Sequence, residues 1–179
     1  MIVLSRWRRV ELYACSALPG LATLLLAVFC LVPKHLVGFG SFMPLLTLAP
    51  MYFWGVRHSG SMPYWFVFAL GILIDAGMGQ AVGFTSLLNL LFLRVIYAQS
   101  KYIHKEGFII KWGYFALLVA MNQLAGWAGL SLLGGYFMPV GAAFVQWLLT
   151  LLCYPALHRC FELLEQFIQR RRWVISHAD

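Results

Sequence analysis

The chain has 179 residues, of which 62% are hydrophobic and only 11% are charged. A soluble domain carries roughly 25% charged residues, so the composition points to a membrane protein and excludes an ordinary soluble enzyme. The net charge of +7 does not indicate nucleic acid, because the basic residues flank apolar runs and form no face of their own.

A helical span needs roughly 20 apolar residues to cross ~30 Å of hydrocarbon. The hydropathy pattern predicts six, at about 11–32, 38–55, 63–78, 81–98, 109–132 and 138–157. They use most of the chain, so residues 1–179 are expected to form one integral membrane domain. The fold class expected is an all-α polytopic membrane protein with both termini cytoplasmic.

The first run, from Leu12 to Val32, is too long for a signal-peptide core and lacks a small-residue cleavage site. In "LYAC" the apolar run follows Cys15, the wrong order for a lipoprotein signal. Pro19-Gly20 should kink this span. Arg57 and a short polar connection separate the second and third spans. The third and fourth should form a hairpin with its turn near Gly79. Gly77 and Gly79 are expected to permit the turn. Gly71 and Gly83 are expected to let the helices approach closely. Arg94 and Lys111 lie near enough to span ends to snorkel. After the sixth span, "FELLEQFIQRRRW" has helical apolar spacing and reads as an amphipathic cytoplasmic tail over 158–179, anchored to anionic lipid.

Of the thirteen Lys and Arg residues, all but Lys34 fall on the cytoplasmic side of this arrangement. That bias supports an even number of spans. Trp54, Trp65 and Trp112 lie near predicted span ends, where aromatic belts form.

Reactive constellations are scarce. The five histidines lie in loops, tails or a span end, and no two share a span at helical ligand spacing. No phosphate loop, G-x-S-x-G or H-E-x-x-H motif occurs. Cys15, Cys30, Cys153 and Cys160 form no C-x-x-C pair and read as buried thiols. No enzymatic activity, cofactor or metal is expected.

Asp75 is the one acid inside a predicted span, apart from Glu11 at the start of the first. An intramembrane charge is a functional-site candidate by default. It lies about a turn from the end of its span. Arg94 does not suit it as a mate: the hairpin register puts the two ~16 Å apart in depth. Asp75 is expected to accept hydrogen bonds from backbone N–H groups, Gln80 or Ser86, and so to shape the hairpin. Ligand or proton binding and partner contact are the other roles open to it. Asn89, Asn122, Gln123 and Gln146 should form interhelical hydrogen bonds or line a pocket.

The stretch "GILIDAGMGQAVGFTSLLNLLF" resembles the signature of the rod shape-determining protein MreD family. The preceding "SFMPLLTLAPMYFWGVRHSGSMPYWFVFALG" is similar too. The matching residues are Pro44, Tyr52, Trp54, Gly71, Asp75 and Gly83. The resemblance covers roughly residues 40–100, and the rest by hydropathy alone. It implies a non-enzymatic component of the bacterial elongation machinery in the inner membrane. Such a protein binds the bitopic partner MreC, and through it MreB filaments and the peptidoglycan synthases RodA and PBP2. It also implies a fold similar to the substrate-binding components of energy-coupling-factor transporters. Pro44, Gly71, Asp75, Gly79 and Gly83 are the candidate structural and partner-binding motif.

The alternative is a substrate-binding subunit of a vitamin-type transporter. Such subunits often carry A-x-x-x-A in the first span. Ala14, Ala17, Ala22 and Ala27 include no pair four apart.

Overall fold

The computed structural model describes residues 20–30, 45–57, 60, 62–79, 82–134 and 140–177. Pro44, Gln80, Glu11, Cys15, Pro19 and the predicted turns before residue 45 lie outside them. The fold is all-helical: six helices, and no strand among the described residues. They are α1 (Gly20–Cys30), α2 (Leu48–Arg57), α3 (Tyr64–Met78), α4 (Phe84–Ile103), α5 (Phe108–Gly134) and α6 (Val140–His177).

The centre of the bundle is α2. All nine residues from Leu48 to Val56 are buried, with α4 on one side and α6 on another. Pro50 sits in the first helical turn, where a missing N–H costs nothing. Gly55 lets α4 come close: a Cβ there would lie 2.8 Å from Ile96 Cγ2. Below it the rings of Tyr52, Phe115 and Tyr154 tie α2, α5 and α6 together. Phe115 and Tyr154 stack at 4.2 Å, and Tyr52 meets Phe115 tilted at 5.3 Å. The Tyr52 hydroxyl donates to the Lys111 carbonyl at 2.8 Å, so a buried phenol has its partner.

The second predicted span is not one helix over 38–55. Residues 45–47 form a turn, and the helix starts at Leu48. The Leu45 N–H donates to Thr150 Oγ1 at 2.9 Å. Thr150 in turn donates to the Gln146 carbonyl at 2.7 Å. A hydroxyl from α6 thus serves a backbone donor that a helix entry leaves without an internal partner.

Helix α6 joins the predicted sixth span and the predicted tail in one 38-residue helix. Pro155 lies inside it. Proline has no N–H, so the carbonyl four residues back loses its helical donor. That carbonyl belongs to Leu151, and the Trp112 indole N–H of α5 donates to it at 3.3 Å. A second indole, Trp147, donates from α6 to the Ala116 carbonyl at 3.0 Å. The α5–α6 pair is therefore stapled in both directions.

Within α5, Phe108–Ser131 is long and apolar enough to cross a membrane: 24 residues, or ~36 Å at helical rise. Only 17% of its most apolar window is buried. The core helix of a soluble protein would bury such a surface. Helices α1 and α3 are also apolar but shorter. They expose Leu25, Phe29, Trp65 and Phe68, as α4 exposes Leu87 and Leu91. Exposed apolar area spread over four helices suits a lipid solvent better than water.

Candidate functional site

Helix α3 starts after Pro63, whose extended backbone (φ −69°, ψ 143°) suits a helix entry. Its carbonyl accepts from Phe66 and Val67. The helix ends at Gly79, in the left-handed conformation at φ 63°, with the Gly79 N–H donating to the Asp75 carbonyl. Glycine reaches that conformation without a Cβ penalty. Helix α4 is entered through Gly83 at φ 94°. Gly83 has no side chain with which to cap the helix, so the first N–H groups of α4 need an acceptor from elsewhere.

Asp75 supplies it. The residue is fully buried. Its Oδ2 accepts the Gly83 N–H at 2.8 Å. The Thr85 N–H lies 3.3 Å from both carboxylate oxygens. The acid therefore caps the neighbouring helix across the turn. The bond to Gly83 has charge-assisted length, and the carboxylate faces the positive end of the α4 dipole.

Gly71 lies one helical turn before Asp75, on the same face. A Cβ there would fall 2.4 Å from Ser86 Cα and Oγ and 2.7 Å from Ser86 N. No side chain fits, so backbone meets backbone. The Ser86 hydroxyl donates to the Phe68 carbonyl at 3.0 Å. Thus Phe68, Gly71 and Asp75 form one strip on α3, and Gly83, Thr85 and Ser86 form the first turn of α4 against it.

Several expectations change. Gly83 is not a packing glycine, because a Cβ there would meet nothing within 4 Å; its need is the positive φ. Gly77 lies inside α3 and takes no part in the turn. Ser86 bonds Phe68, not Asp75. Gln80 and Pro44 lie outside the described residues, so the motif is assembled here from Gly71, Asp75, Gly79 and Gly83. Arg94 is exposed on α4. Thr85 has no sequence signal as a partner of Asp75, because its backbone makes the contact.

Of the polar residues in the predicted spans, Gln123 donates to Gln146 across α5 and α6 at 2.6 Å. Asn89, three residues after Ser86, is buried, and its Nδ2 has no hydrogen-bond partner among the described residues. Cys30 is buried, but Cys160 is exposed on α6. Among the described residues no group of three His, Cys, Asp or Glu could hold a metal ion.

The opposite end of the bundle carries an ion-pair cluster. Arg57, the last residue of α2, places Nε 2.6 Å from Glu165 Oε2 and Nη1 4.0 Å from Glu162 Oε1. The Gln169 amide donates to Glu165 Oε1 at 3.1 Å. Glu162 also lies 3.4 Å from His158 Nε2 and 3.8 Å from Arg159 Nη1. Glu165 is therefore buried against α2, whereas the amphipathic-tail reading puts it on a solvated face. His158 is buried too, held between the Phe53 and Phe108 rings at 5.2 and 5.0 Å. Burial lowers its pKa below the ordinary 6.5; Glu162 pulls upward, while Arg57, Lys111 and Arg159 press it down further.

On the α2–α3 connection, the Tyr97 hydroxyl donates to the Met62 carbonyl at 2.8 Å and accepts the Met62 N–H at 3.2 Å. One phenol thereby closes the turn against α4. No protein-family model, curated protein or solved structure matches this chain.

Proposed function

We propose that this protein is a multi-pass membrane scaffold of the MreD type. It sits in a bacterial inner membrane with six spans and both termini in the cytoplasm. It has no catalytic chemistry of its own. It binds an MreC-type bitopic partner, which connects it to MreB filaments and to RodA and PBP2.

The observation that carries the reading is the Asp75 cap on α4. A carboxylate that both accepts backbone N–H groups and is fully enclosed is used up structurally, as a rigid hairpin requires. The hairpin fixes the Gly79–Gly83 turn, and on this topology that turn lies on the outer side, where a bitopic partner can reach it. The membrane reading is supported by the exposed apolar α5 and by the charge bias of the sequence.

The test is depletion in a rod-shaped host, paired with co-purification of an MreC-type protein. Rounded cells with normal vitamin uptake, and recovery of the partner, are expected. Normal rods together with tight vitamin binding by the purified protein would favour a transporter subunit.

A further inference from the structure

The Arg57 end of the bundle contains a small half-open cleft where α2, the start of α5 and the middle of α6 meet the end of α4. Its volume is about 20 Å³, enough to admit a water-sized group. Tyr52 and Tyr154 line it together with Arg57, His104, Lys111 and His158. Four nitrogen-bearing side chains thus surround one opening.

The carboxylates near the cleft pair with groups other than Lys111, on which Glu162 and Glu106 act only from beyond ion-pair distance. Glu165 is committed to Arg57 at 2.6 Å, and Glu162 is shared among Arg57, His158 and Arg159. Lys111 makes no ion pair among the described residues. No carboxylate lines the cleft. A metal ion would meet cations, so the opening suits an anion. The nitrogen groups come from different elements: the Arg57 guanidinium, the Lys111 ammonium and the His104 imidazole. Such a set suits a tetrahedral oxyanion with several acceptor oxygens better than a planar carboxylate, which one arginine fork already satisfies.

We infer that this cleft is a phosphate site, with Lys111 as its uncommitted cation, His104 as a second donor and Arg57 as a flanking positive charge. The phosphate belongs either to an anionic phospholipid headgroup or to a soluble phosphate ester. On the six-span topology the cleft lies at the cytoplasmic headgroup layer, where anionic lipid is concentrated. The inference shares only that topology with the scaffold reading. It is tested on the purified chain, so its outcome does not depend on cell shape.

The experiment measures binding of short-chain phosphatidylglycerol, and separately of inorganic phosphate, to the full chain in a neutral detergent. Lys111→Gln should weaken phosphatidylglycerol binding about tenfold, the loss of one charge-assisted contact. Lys111→Arg should restore most of it. Lys101→Gln, an exposed control that does not line the cleft, should leave it unchanged. Competition by millimolar inorganic phosphate that depends on Lys111 would assign the site to a soluble phosphate; binding of the lipid alone would assign it to the headgroup. Equal losses in Lys111→Gln and Lys101→Gln would mean general surface charge and overturn the inference. So would no loss in Lys111→Gln when its thermal unfolding matches the parent protein.

Discussion

Replacing the carboxylate of Asp75 separates a structural acceptor from a chemical group. In the native hairpin one oxygen, Oδ2, serves both donors, Gly83 at 2.8 Å and Thr85 at 3.3 Å. An asparagine that places its amide oxygen at that position keeps both bonds. Its NH2 then occupies the Oδ1 position, 3.3 Å from the Thr85 nitrogen, where it replaces an attraction with a donor–donor contact. The charge at the helix terminus is also lost, a term of about 0.3–2 kcal/mol. Asp75→Asn should therefore cost about 1–2 kcal/mol and retain function. Asp75→Leu leaves two buried N–H groups unpaired, at about 1–3 kcal/mol each. It should deplete the folded protein. Three readouts are scored for each variant: cell-shape complementation, abundance in the membrane, and recovery of the partner in pull-downs. An Asp75→Asn protein that is abundant and partner-bound but inactive would refute the reasoning, because a charge would then be needed for more than the hairpin.

The two hairpin glycines should fail differently. Gly71→Ala drives a methyl group into the Ser86 backbone and should lower the unfolding temperature by an overpacking cost of about 1–3 kcal/mol or more. Gly83→Ala meets open space but must hold φ 94°, at about 1–3 kcal/mol; Gly83→Asn should be milder than Gly83→Ala, and equal losses would contradict the conformational reading. Arg57→Ala leaves the buried Glu165 without its cation and should destabilise by about 1–3 kcal/mol after allowance for the half-exposed arginine, with Glu165→Gln largely relieving the loss in the double variant. Burial lowers the His158 pKa, so its contribution to stability is complete above its ordinary 6.5 and falls away as pH drops through the lower folded-state value. Thermal unfolding should therefore decline more on acidification in the parent than in His158→Gln. Cysteine labelling at the exposed Tyr102→Cys and at the C-terminus should require access from the cytoplasm, and labelling from outside would sink the topology.

Local chemistry made part of this legible. Pro63 before a run of apolar residues and Gly79 after it bracket α3 closely, because both act through their own backbone angles. The candidacy of Asp75 came from its isolation among apolar residues. What could not be read depended on distant partners. The break before Leu48 is served by Thr150, 105 residues away. The burial of Glu165 depends on Arg57, which no periodicity in α6 announces. Pro155 suggests a kink when read alone, and the Trp112 indole that serves the freed carbonyl belongs to another helix. Gly71 and Gly83 look alike in sequence. One is needed for space and the other for angle, and only the neighbouring helix separates the two causes.

The two buried carboxylates of the described chain show how the ends of the bundle differ. Glu165 is neutralised by a side chain whose terminus is partly exposed, so its environment can respond to solvent, salt or a bound anion. Asp75 is satisfied by backbone groups, which neither titrate nor exchange partners. The Gly71–Ser86 approach sets that distance: without it, the first turn of α4 could not lie within reach of a side chain as short as aspartate. Close approach and capping therefore depend on each other, and residues coupled in this way lose stability less than additively when both are removed. A hairpin built so is closed or absent, with few intermediate arrangements to populate. Any adjustable behaviour therefore belongs to the Arg57 end, where a partly exposed arginine holds the charges.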